Sequence, residues 1–131
     1  MASFLDPLLR RSSGDCTLTN QRTGAVLAHH LIAAFDSSSR RTGLLRHAAM
    51  PAGTAMIIAP TNAIHTFFMK FAIDVLFVAK DGLVVKARHA VRPWRMSAAW
   101  RAHAVIELAA GTLQRTIVQE GDRVTVVANP T

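Results

Sequence analysis

The most informative residue for chemistry is Asp74, because it interrupts an otherwise apolar segment. Eight of the nine residues in 71–79 are apolar, and such a run predicts a strand that is buried on both faces. An aspartate in that position loses its hydration, which costs several kcal/mol unless a charge or hydrogen-bond donors compensate it. We therefore expect Asp74 to have a partner. The candidate partners in the sequence are Arg40, Arg41, His65, Lys70 and Arg95.

His65 is the second residue that could take part in chemistry, since it precedes Asp74 by nine residues. A turn between the two residues could place them on neighbouring strands, where a hydrogen bond would hold one imidazole tautomer. His65 could then act as a general base. The sequence has no GxSxG signature, and only the hydroxyls of Thr61 and Thr66 are close by. Hydrolysis by His65 and Asp74 is one hypothesis, and a structural ion pair of Asp74 is the other.

The sequence predicts no metal site and no cofactor. Its histidines stand at positions 29, 30, 47, 65, 89 and 103, and this spacing matches neither HxH nor HExxH. Walker A and GxGxxG patterns are also missing from the sequence. Glu107 is the one polar residue in the segment AVIELAAG. We expect it to face solvent, because successive residues of a strand point to opposite faces.

The chain is strongly basic, with 15 Lys and Arg residues, 8 Asp and Glu residues and a net charge of +7. The segment 86–103 combines basic residues with both tryptophans, namely Lys86, Arg88, Arg92, Arg95, Arg101, Trp94 and Trp100. Basic side chains bind phosphate and indole rings stack on bases, so this segment makes nucleic-acid binding an alternative function. No RRM, KH or zinc-finger pattern accompanies it.

The elements that must position these residues are mainly short strands. We predict strands at 16–20, 25–35, 56–59, 71–79, 83–87, 105–108 and 123–127, with a long exposed loop formed by the basic stretch at 86–103. A short helix is predicted at 36–47, and 111–116 can form one helical turn. The predicted fold class is α+β and mainly β, a small antiparallel sandwich or partly open barrel with one or two short helices.

Length and composition predict one domain. The 131 residues are 50% apolar, so we assign 16–131 to a single domain and 1–15 to a flexible or docked N-terminal segment. No apolar run reaches the 18 residues or so that a bilayer requires, so we expect no membrane association. The only cysteine, Cys16, cannot form an internal disulfide. A cytoplasmic location follows as the expectation, and the oligomeric state stays open.

Several short segments resemble one family in both order and spacing. They are Arg40 with GLL at 43–45, IHTFFMK at 64–70, IDVLF at 73–77, DG at 81–82, PWR at 93–95, IEL at 106–108, GT at 111–112 and GD at 121–122. Over roughly 40–126 the chain resembles the domain of unknown function 192 family, an uncharacterised family of bacteria and archaea. The resemblance implies a compact, mostly β domain, and it brings no established activity. It also implies that Arg40, His65, Asp74 and PWR at 93–95 lie in one region.

These observations favour a non-enzymatic protein that binds a small anionic or polar ligand in a shallow basic pocket. The residues expected to line this pocket are Arg40, His65, Asp74, Trp94 and Arg95. In this hypothesis Asp74 orients Arg40 or His65, while Arg95 meets the charge of the ligand and Trp94 supplies an apolar wall. The alternatives are nucleic-acid binding through 86–103, hydrolysis by His65 and Asp74, and a structural or protein-interaction module.

Overall fold

The computed structural model describes residues 3–10, 16–35, 50–67 and 69–129. The strands in these residues are β1 (Cys16–Asn20), β2 (Val26–Ala28), β3 (His30–Ala34), β4 (Thr54–Ile58), β5 (Ala63–His65), β6 (Ile73–Val78), β7 (Val84–Val91), β8 (Met96–Ala98), β9 (Ala104–Ala109) and β10 (Val124–Ala128). Two short helices accompany them, α1 (Asp6–Arg10) and α2 (Thr112–Thr116). The helix predicted at 36–47, and with it Arg40, lies outside the described residues.

A five-stranded sheet with the order β3-β4-β9-β6-β7 forms the centre of the fold. Every residue of β6 is buried, as the apolar run at 71–79 predicts. Its even-numbered residues, such as Leu76 and Val78, belong to one apolar cluster, and the odd-numbered Val75 and Phe77 belong to another. Each cluster covers one face of the sheet, so polar side chains on β6 and β9 are buried whichever way they point.

A second sheet, with the order β10-β1-β2, contributes Leu18 and Val124 to the first of these clusters. The N-terminal segment joins the same cluster through Leu5 and Leu8, each of which is 3% exposed. The amide of Phe4 donates a hydrogen bond to the carbonyl oxygen of Lys80 at 3.0 Å. Residues 3–10 are therefore docked on the fold.

The third sheet is a small antiparallel ribbon formed by β5 and β8, in which His65 is paired with Met96 and Ile64 with Ser97. His65 and Met96 are exposed, whereas Ser97 is buried and Ile64 packs against the second apolar cluster. The sequence predicts a long loop for this region. Instead, β7 extends to Val91. The chain then forms β8, because the backbone of Met96–Ala98 pairs with that of Ala63–His65.

The mainly β fold class is confirmed, as three open sheets and two short helices in the described residues. The antiparallel prediction fails at one place, where β3 pairs with β4 in parallel. The connection between Ala34 and Thr54 is long enough for the crossover that parallel strands require. The strand predicted at 25–35 is split between two sheets, since β2 pairs with β1 and β3 with β4. No helix in the described ranges has the length and apolarity needed to cross a membrane.

Candidate functional site

Asp74 is fully buried, with an exposed fraction of 0%. Its Oδ1 accepts a hydrogen bond from the amide of Ala90 at 2.8 Å. Its Oδ2 accepts two more, from the amides of Gly111 at 3.0 Å and Leu113 at 2.9 Å. Backbone amides thus replace the hydration that this carboxyl group loses on folding.

The amides around Asp74 belong to two irregular places in the backbone. Opposite Asp74, β7 carries a bulge, because the pairing passes from Val75 and Arg88 directly to Ile73 and Val91. Ala90 within the bulge has a φ of 48°, so its amide leaves the ladder and reaches Asp74 instead. The other two donors are at the start of α2, where the first amides of a helix have no internal partner. Asp74 therefore ties the bulge of β7 to α2.

The prediction that Asp74 is buried with a partner is confirmed, but the partner differs from the expected cation. Among the described residues no ion pair involves Asp74, so neither Lys70 nor Arg95 is its counter-ion. His65 does not hydrogen-bond to it either, and the pair that a hydrolase would need is not formed. Arg40 and Arg41 lie outside the described residues. The sequence could not reveal the amide donors, because it does not show where the backbone is irregular.

Three of the expected pocket residues, His65, Trp94 and Arg95, lie together at the end of the ribbon where His65 pairs with Met96. The ring of Phe67 lies between His65 and Trp94, with ring centroids 4.9 Å from His65 and 5.7 Å from Trp94. The planes of Phe67 and Trp94 are stacked, at 27° to one another. We call His65, Phe67 and Trp94 the ring array. Phe67 was not predicted, although its spacing of two from His65 places both side chains on one face of an extended segment.

Thr66 fixes the loop that carries Trp94 and Arg95. Its amide donates to the carbonyl oxygen of Arg95 at 2.8 Å, and its carbonyl oxygen accepts from the amide of Trp94 at 3.0 Å. The hydroxyl donates to the carbonyl oxygen of Arg92 at 2.7 Å and accepts from the amide of Arg95 at 2.9 Å. Thr66 is fully buried. Its hydroxyl is therefore engaged in holding the loop and is not presented as a nucleophile.

The loop presents its side chains outward in a constrained backbone. Trp94 has a φ of 65°, a left-handed conformation that is unusual for a bulky residue and is held here by Thr66. Its side chain is 57% exposed. The guanidinium of Arg95 lies beside it and donates to the carbonyl oxygen of Trp94 at 3.3 Å. Arg95 is exposed, so its remaining donors face solvent next to the ring array.

The basic segment 86–103 divides into inward and outward side chains. Lys86 donates from Nζ to the carbonyl oxygen of Ala98 at 2.9 Å, and Arg88 donates to the hydroxyl of Ser97 at 3.0 Å. These two cations hold β8 against β7. The exposed arginine and large apolar side chains of the segment are Arg92, Trp94, Arg95, Met96, Trp100 and Arg101.

Glu107 contradicts the expectation that it faces solvent. It lies on β9 between Met56 and Val75, on the sheet face that the second apolar cluster covers, and it is 4% exposed. Its Oε2 has no hydrogen-bond partner in the part of the chain described. Burial raises the pKa of Glu107 to about 8, so the carboxyl group is protonated at neutral pH. Strand alternation misled the prediction because both faces of β9 are covered.

The described residues contain no group of three or more His, Cys, Asp or Glu side chains that could hold a metal ion. The ribbon and the adjacent loop present aromatic faces from the ring array, a guanidinium from Arg95 and an imidazole from His65. The Nδ1 of His65 accepts a hydrogen bond from the amide of Phe67 at 3.3 Å, which leaves Nε2 as the donor of the neutral ring.

Comparisons with known proteins agree with this fold. The chain resembles a solved structure from Sinorhizobium meliloti 1021, described as a "putative transcription regulator", at 24% identity and a TM-score of 0.72, over 85% of this chain and 91% of that one. It also resembles a protein of unknown function from Novosphingobium aromaticivorans DSM 12444, at 22% identity and a TM-score of 0.69, over 83% and 81% of the two chains. At these identities the likeness establishes the fold alone. No curated protein matches the chain.

The comparison with family models identifies the family, whereas the structural likeness identifies only the fold. The model of the DUF192 family, whose description is "uncharacterized ACR", matches residues 18–126. This range includes both Asp74 and the ring array, and it spans most of the chain. The protein belongs to the DUF192 family.

Proposed function

We propose that this protein is a non-enzymatic binding protein, located in the cytoplasm, whose ring array and Arg95 bind a small anion that carries a flat ring. The observation that supports this function is the stacking of Phe67 on Trp94 beside an exposed guanidinium. Nucleoside monophosphates are the natural probe, since they join a planar base to a charged phosphate. The only cysteine, Cys16, forms no disulfide, which agrees with a reducing compartment.

Each group of the site has a defined role in this proposal. The face of Trp94 receives the flat ring of the ligand, because stacking on an aromatic side chain contributes about 1–3 kcal/mol per base. Arg95 meets the phosphate, since a guanidinium forms charge-assisted and often bidentate hydrogen bonds with it. His65 donates a further hydrogen bond from Nε2. Thr66 holds the loop in place before the ligand arrives, so less ordering is required on binding.

The ligand is held and not transformed in this proposal. A general base oriented by Asp74 is not available, because both carboxylate oxygens accept hydrogen bonds from backbone amides. The hydroxyl of Thr66 is bonded to the loop it fixes. These contacts support a binding function over the hydrolase hypothesis.

Calorimetric titration with AMP and with adenosine tests the proposal. We expect AMP to bind about tenfold more tightly than adenosine, since the phosphate adds a charge-assisted contact worth about 1.4 kcal/mol. Arg95→Gln should weaken AMP to the level of adenosine, and Trp94→Leu should weaken both compounds. Arg115→Gln is the matched control, because Arg115 is an exposed arginine on α2. Failure of AMP, GMP, CMP and UMP to bind at millimolar concentration would overturn the proposal.

A second candidate function is the binding of single-stranded nucleic acid along the same surface. Trp100 is 85% exposed and Met96 73% exposed, and these apolar side chains continue the surface beyond the ring array. The inward contacts of Lys86 and Arg88 leave three exposed arginines in the segment 86–103. This number limits the phosphate contacts that the segment can make.

The salt dependence of oligonucleotide binding separates the two functions. Three phosphate contacts on a single strand predict a slope of about −2 for the logarithm of affinity against the logarithm of salt concentration. Trp100→Ala should weaken an oligonucleotide and leave AMP unaffected, because Trp100 is outside the ring array. A flat salt response would eliminate the nucleic-acid function and leave the nucleotide site intact.

A further inference from the structure

A cavity of about 330 Å³ lies between the N-terminal segment and the end of the central sheet, apart from the ring array. This volume is at the lower end of the range for small-molecule sites. Its apolar lining includes Leu5, Leu9 and Phe35, and its ionisable lining residues are Asp6, Lys80 and His103. Leu9 is 62% exposed, which is unusual for a leucine on a docked helix and leaves apolar surface next to the cavity.

The backbone around this cavity is held firmly by hydrogen bonds. The amide of Phe4 donates to the carbonyl oxygen of Lys80 at 3.0 Å, which joins the N-terminal segment to the turn after β6. The amide of His103 donates to the carbonyl oxygen of Val78 at 2.8 Å. Asp6 is placed by the amide of Ser3, which donates to its Oδ2 at 3.2 Å. The charged lining groups are therefore carried by fixed segments of the chain.

The two basic groups of the cavity lie near each other and have no counter-ion in the described part of the chain. Burial, and then the positive charge of Lys80, lower the pKa of His103. Neither side chain forms an ion pair or a hydrogen bond with the other described residues. Two adjacent basic groups of this kind form a receptor for a carboxylate, while Asp6 in the same cavity accepts a positive group.

We propose that this cavity binds a free α-amino acid with an aliphatic side chain. The carboxylate of the amino acid meets Lys80 and His103, and its ammonium group meets Asp6. Its side chain lies on Leu5, Leu9 and Phe35, where burial of apolar surface contributes about 25 cal/mol per Å². A purely anionic ligand would be repelled by Asp6, and a purely cationic one by Lys80. A zwitterion is the ligand class that satisfies both signs of charge.

Titration with three related probes tests this proposal, with the imidazole signals of His103 followed by NMR. L-leucine carries both charges, 4-methylpentanoate lacks the ammonium group and 3-methylbutylamine lacks the carboxylate. We expect L-leucine to bind at least tenfold more tightly than either analogue and to raise the apparent pKa of His103, because a carboxylate stabilises the imidazolium. Equal or tighter binding of 4-methylpentanoate, or no saturable shift with L-leucine, would overturn the proposal.

Variants identify the charges that carry the selectivity. Lys80→Gln should weaken L-leucine at least tenfold, and its fold should be intact because the Lys80 side chain forms no hydrogen bond with the described residues. Lys70→Gln is the matched control, since Lys70 is an exposed lysine that does not line the cavity. Asp6→Asn should reduce the preference for L-leucine over 4-methylpentanoate. An unchanged preference in Asp6→Asn would contradict the proposed contact with the ammonium group.

Discussion

Asp74 and Glu107 are buried carboxyl groups on adjacent strands of one sheet, and they point to opposite faces of it. Asp74 pairs across the sheet with Leu108, on the face covered by the first apolar cluster, and accepts three hydrogen bonds from amides. Glu107 pairs with Val75 on the other face, and its Oε2 has no partner in the residues described. The two carboxyl groups thus have similar burial and very different surroundings.

The difference shows how the backbone decides the role of a buried acid. At Asp74 a strand bulge and a helix start each bring amides that the regular ladder does not use, so the acid joins two elements. At Glu107 the strands on both sides are regular and their amides are used in the ladder. The apolar neighbours raise the pKa of Glu107 to about 8 by desolvation. Asp74 therefore joins two elements of the fold, whereas the Oε2 of Glu107 is buried without a compensating partner among the residues that the structure describes.

A large loss of stability is expected from Asp74→Ala. The change removes the acceptor of three amide hydrogen bonds, one of which is fully buried, that of Leu113. Each lost bond should cost about 1 kcal/mol or more, so the free energy of unfolding should fall by about 3 kcal/mol or more. Urea unfolding at neutral pH measures it. Asp81→Asn is the control, because the pair of Asp81 with Arg123 is exposed and should contribute less than about 1 kcal/mol.

Asp74→Asn gives a milder version of the same test. The amide side chain keeps one acceptor oxygen and replaces the other with a donor, which would face the amides of Gly111 and Leu113 or of Ala90. We expect an intermediate loss of stability and weaker protection of α2 against hydrogen exchange. A free energy of unfolding within about 0.5 kcal/mol of the native value in both Asp74 variants would contradict the role of Asp74 as a joint.

Glu107→Gln tests whether the buried Glu107 makes the free energy of unfolding depend on pH. The pKa of Glu107 in the folded protein, about 8, lies above its usual value of 4.5. As pH rises, Glu107 therefore loses its proton in the unfolded chain before it does so in the folded protein. The free energy of unfolding falls as pH rises from about 4.5 to about 8. The slope expected for one proton is about 1.4 kcal/mol per pH unit, and Glu107→Gln should remove it.

The measurement is the difference in the free energy of unfolding between the native protein and Glu107→Gln, taken at several pH values. This difference should be constant below pH 4. Between pH 4 and about pH 8 the free energy of unfolding of the unmodified protein should fall relative to that of the variant. Glu120→Gln provides the control, since Glu120 is exposed. Parallel curves for the native protein and Glu107→Gln across this range would show that Glu107 ionises like a solvated acid.

The hydroxyl of Thr66 is a buried neutral group whose hydrogen bonds are satisfied, and Thr66→Val tests its contribution. The change removes the hydroxyl contacts with Arg92 and Arg95 and should cost about 1–2 kcal/mol. Because the backbone contacts of Thr66 persist, the loop should stay in place but become more mobile. Hydrogen exchange at the amide of Arg95 measures this, with Thr61→Val as a control, since the half-buried Thr61 precedes β5 and its hydroxyl makes no bond to the loop. Unchanged exchange at Arg95 would show that the hydroxyl does not hold the loop.

The smallest effect is expected at Asp122, a third carboxylate, which is stabilised by a charge as well as by amides. Its pKa is lowered to about 2, mainly by the hydrogen bond from Arg22. The contribution of this pair is present above the usual pKa of 3.8 and is lost as pH falls through about 2. Arg22→Met should raise the pKa of Asp122, as measured by carboxyl NMR, while Arg123→Met should not.

The sequence allowed the fold class and the core of the sheet to be predicted, because both rest on local patterns. The run at 71–79 indicated a doubly buried strand and therefore a partner for Asp74. The identity of that partner could not be predicted, since one donor lies in the bulge of β7 and the other two lie at the start of α2. Only the assembled fold shows that the backbone is irregular there. Glu107 stands in a similar apolar run, AVIELAAG, and the reasoning applied to Asp74 would have placed it in the core.

The placement of the candidate residues, though not their function, was predicted in part. His65, Trp94 and Arg95 lie close together, as the resemblance to the family implied, whereas Asp74 is bonded to the backbone elsewhere. The ring array depends on the pairing of β5 with β8, two strands of three residues each. Strands this short have little periodicity, and Met96–Ala98 was therefore predicted as part of a loop.

The proposed function requires the ring array to bind a flat, negatively charged ligand. The indole signals of Trp94 and Trp100 in a proton–nitrogen NMR titration with AMP report on this binding, and Trp100 serves as an internal control. Under this proposal we expect a saturable shift of the Trp94 indole signal that is lost in Arg95→Gln, with the Trp100 signal unchanged. A stationary Trp94 signal, or equal shifts of both indoles, would contradict it.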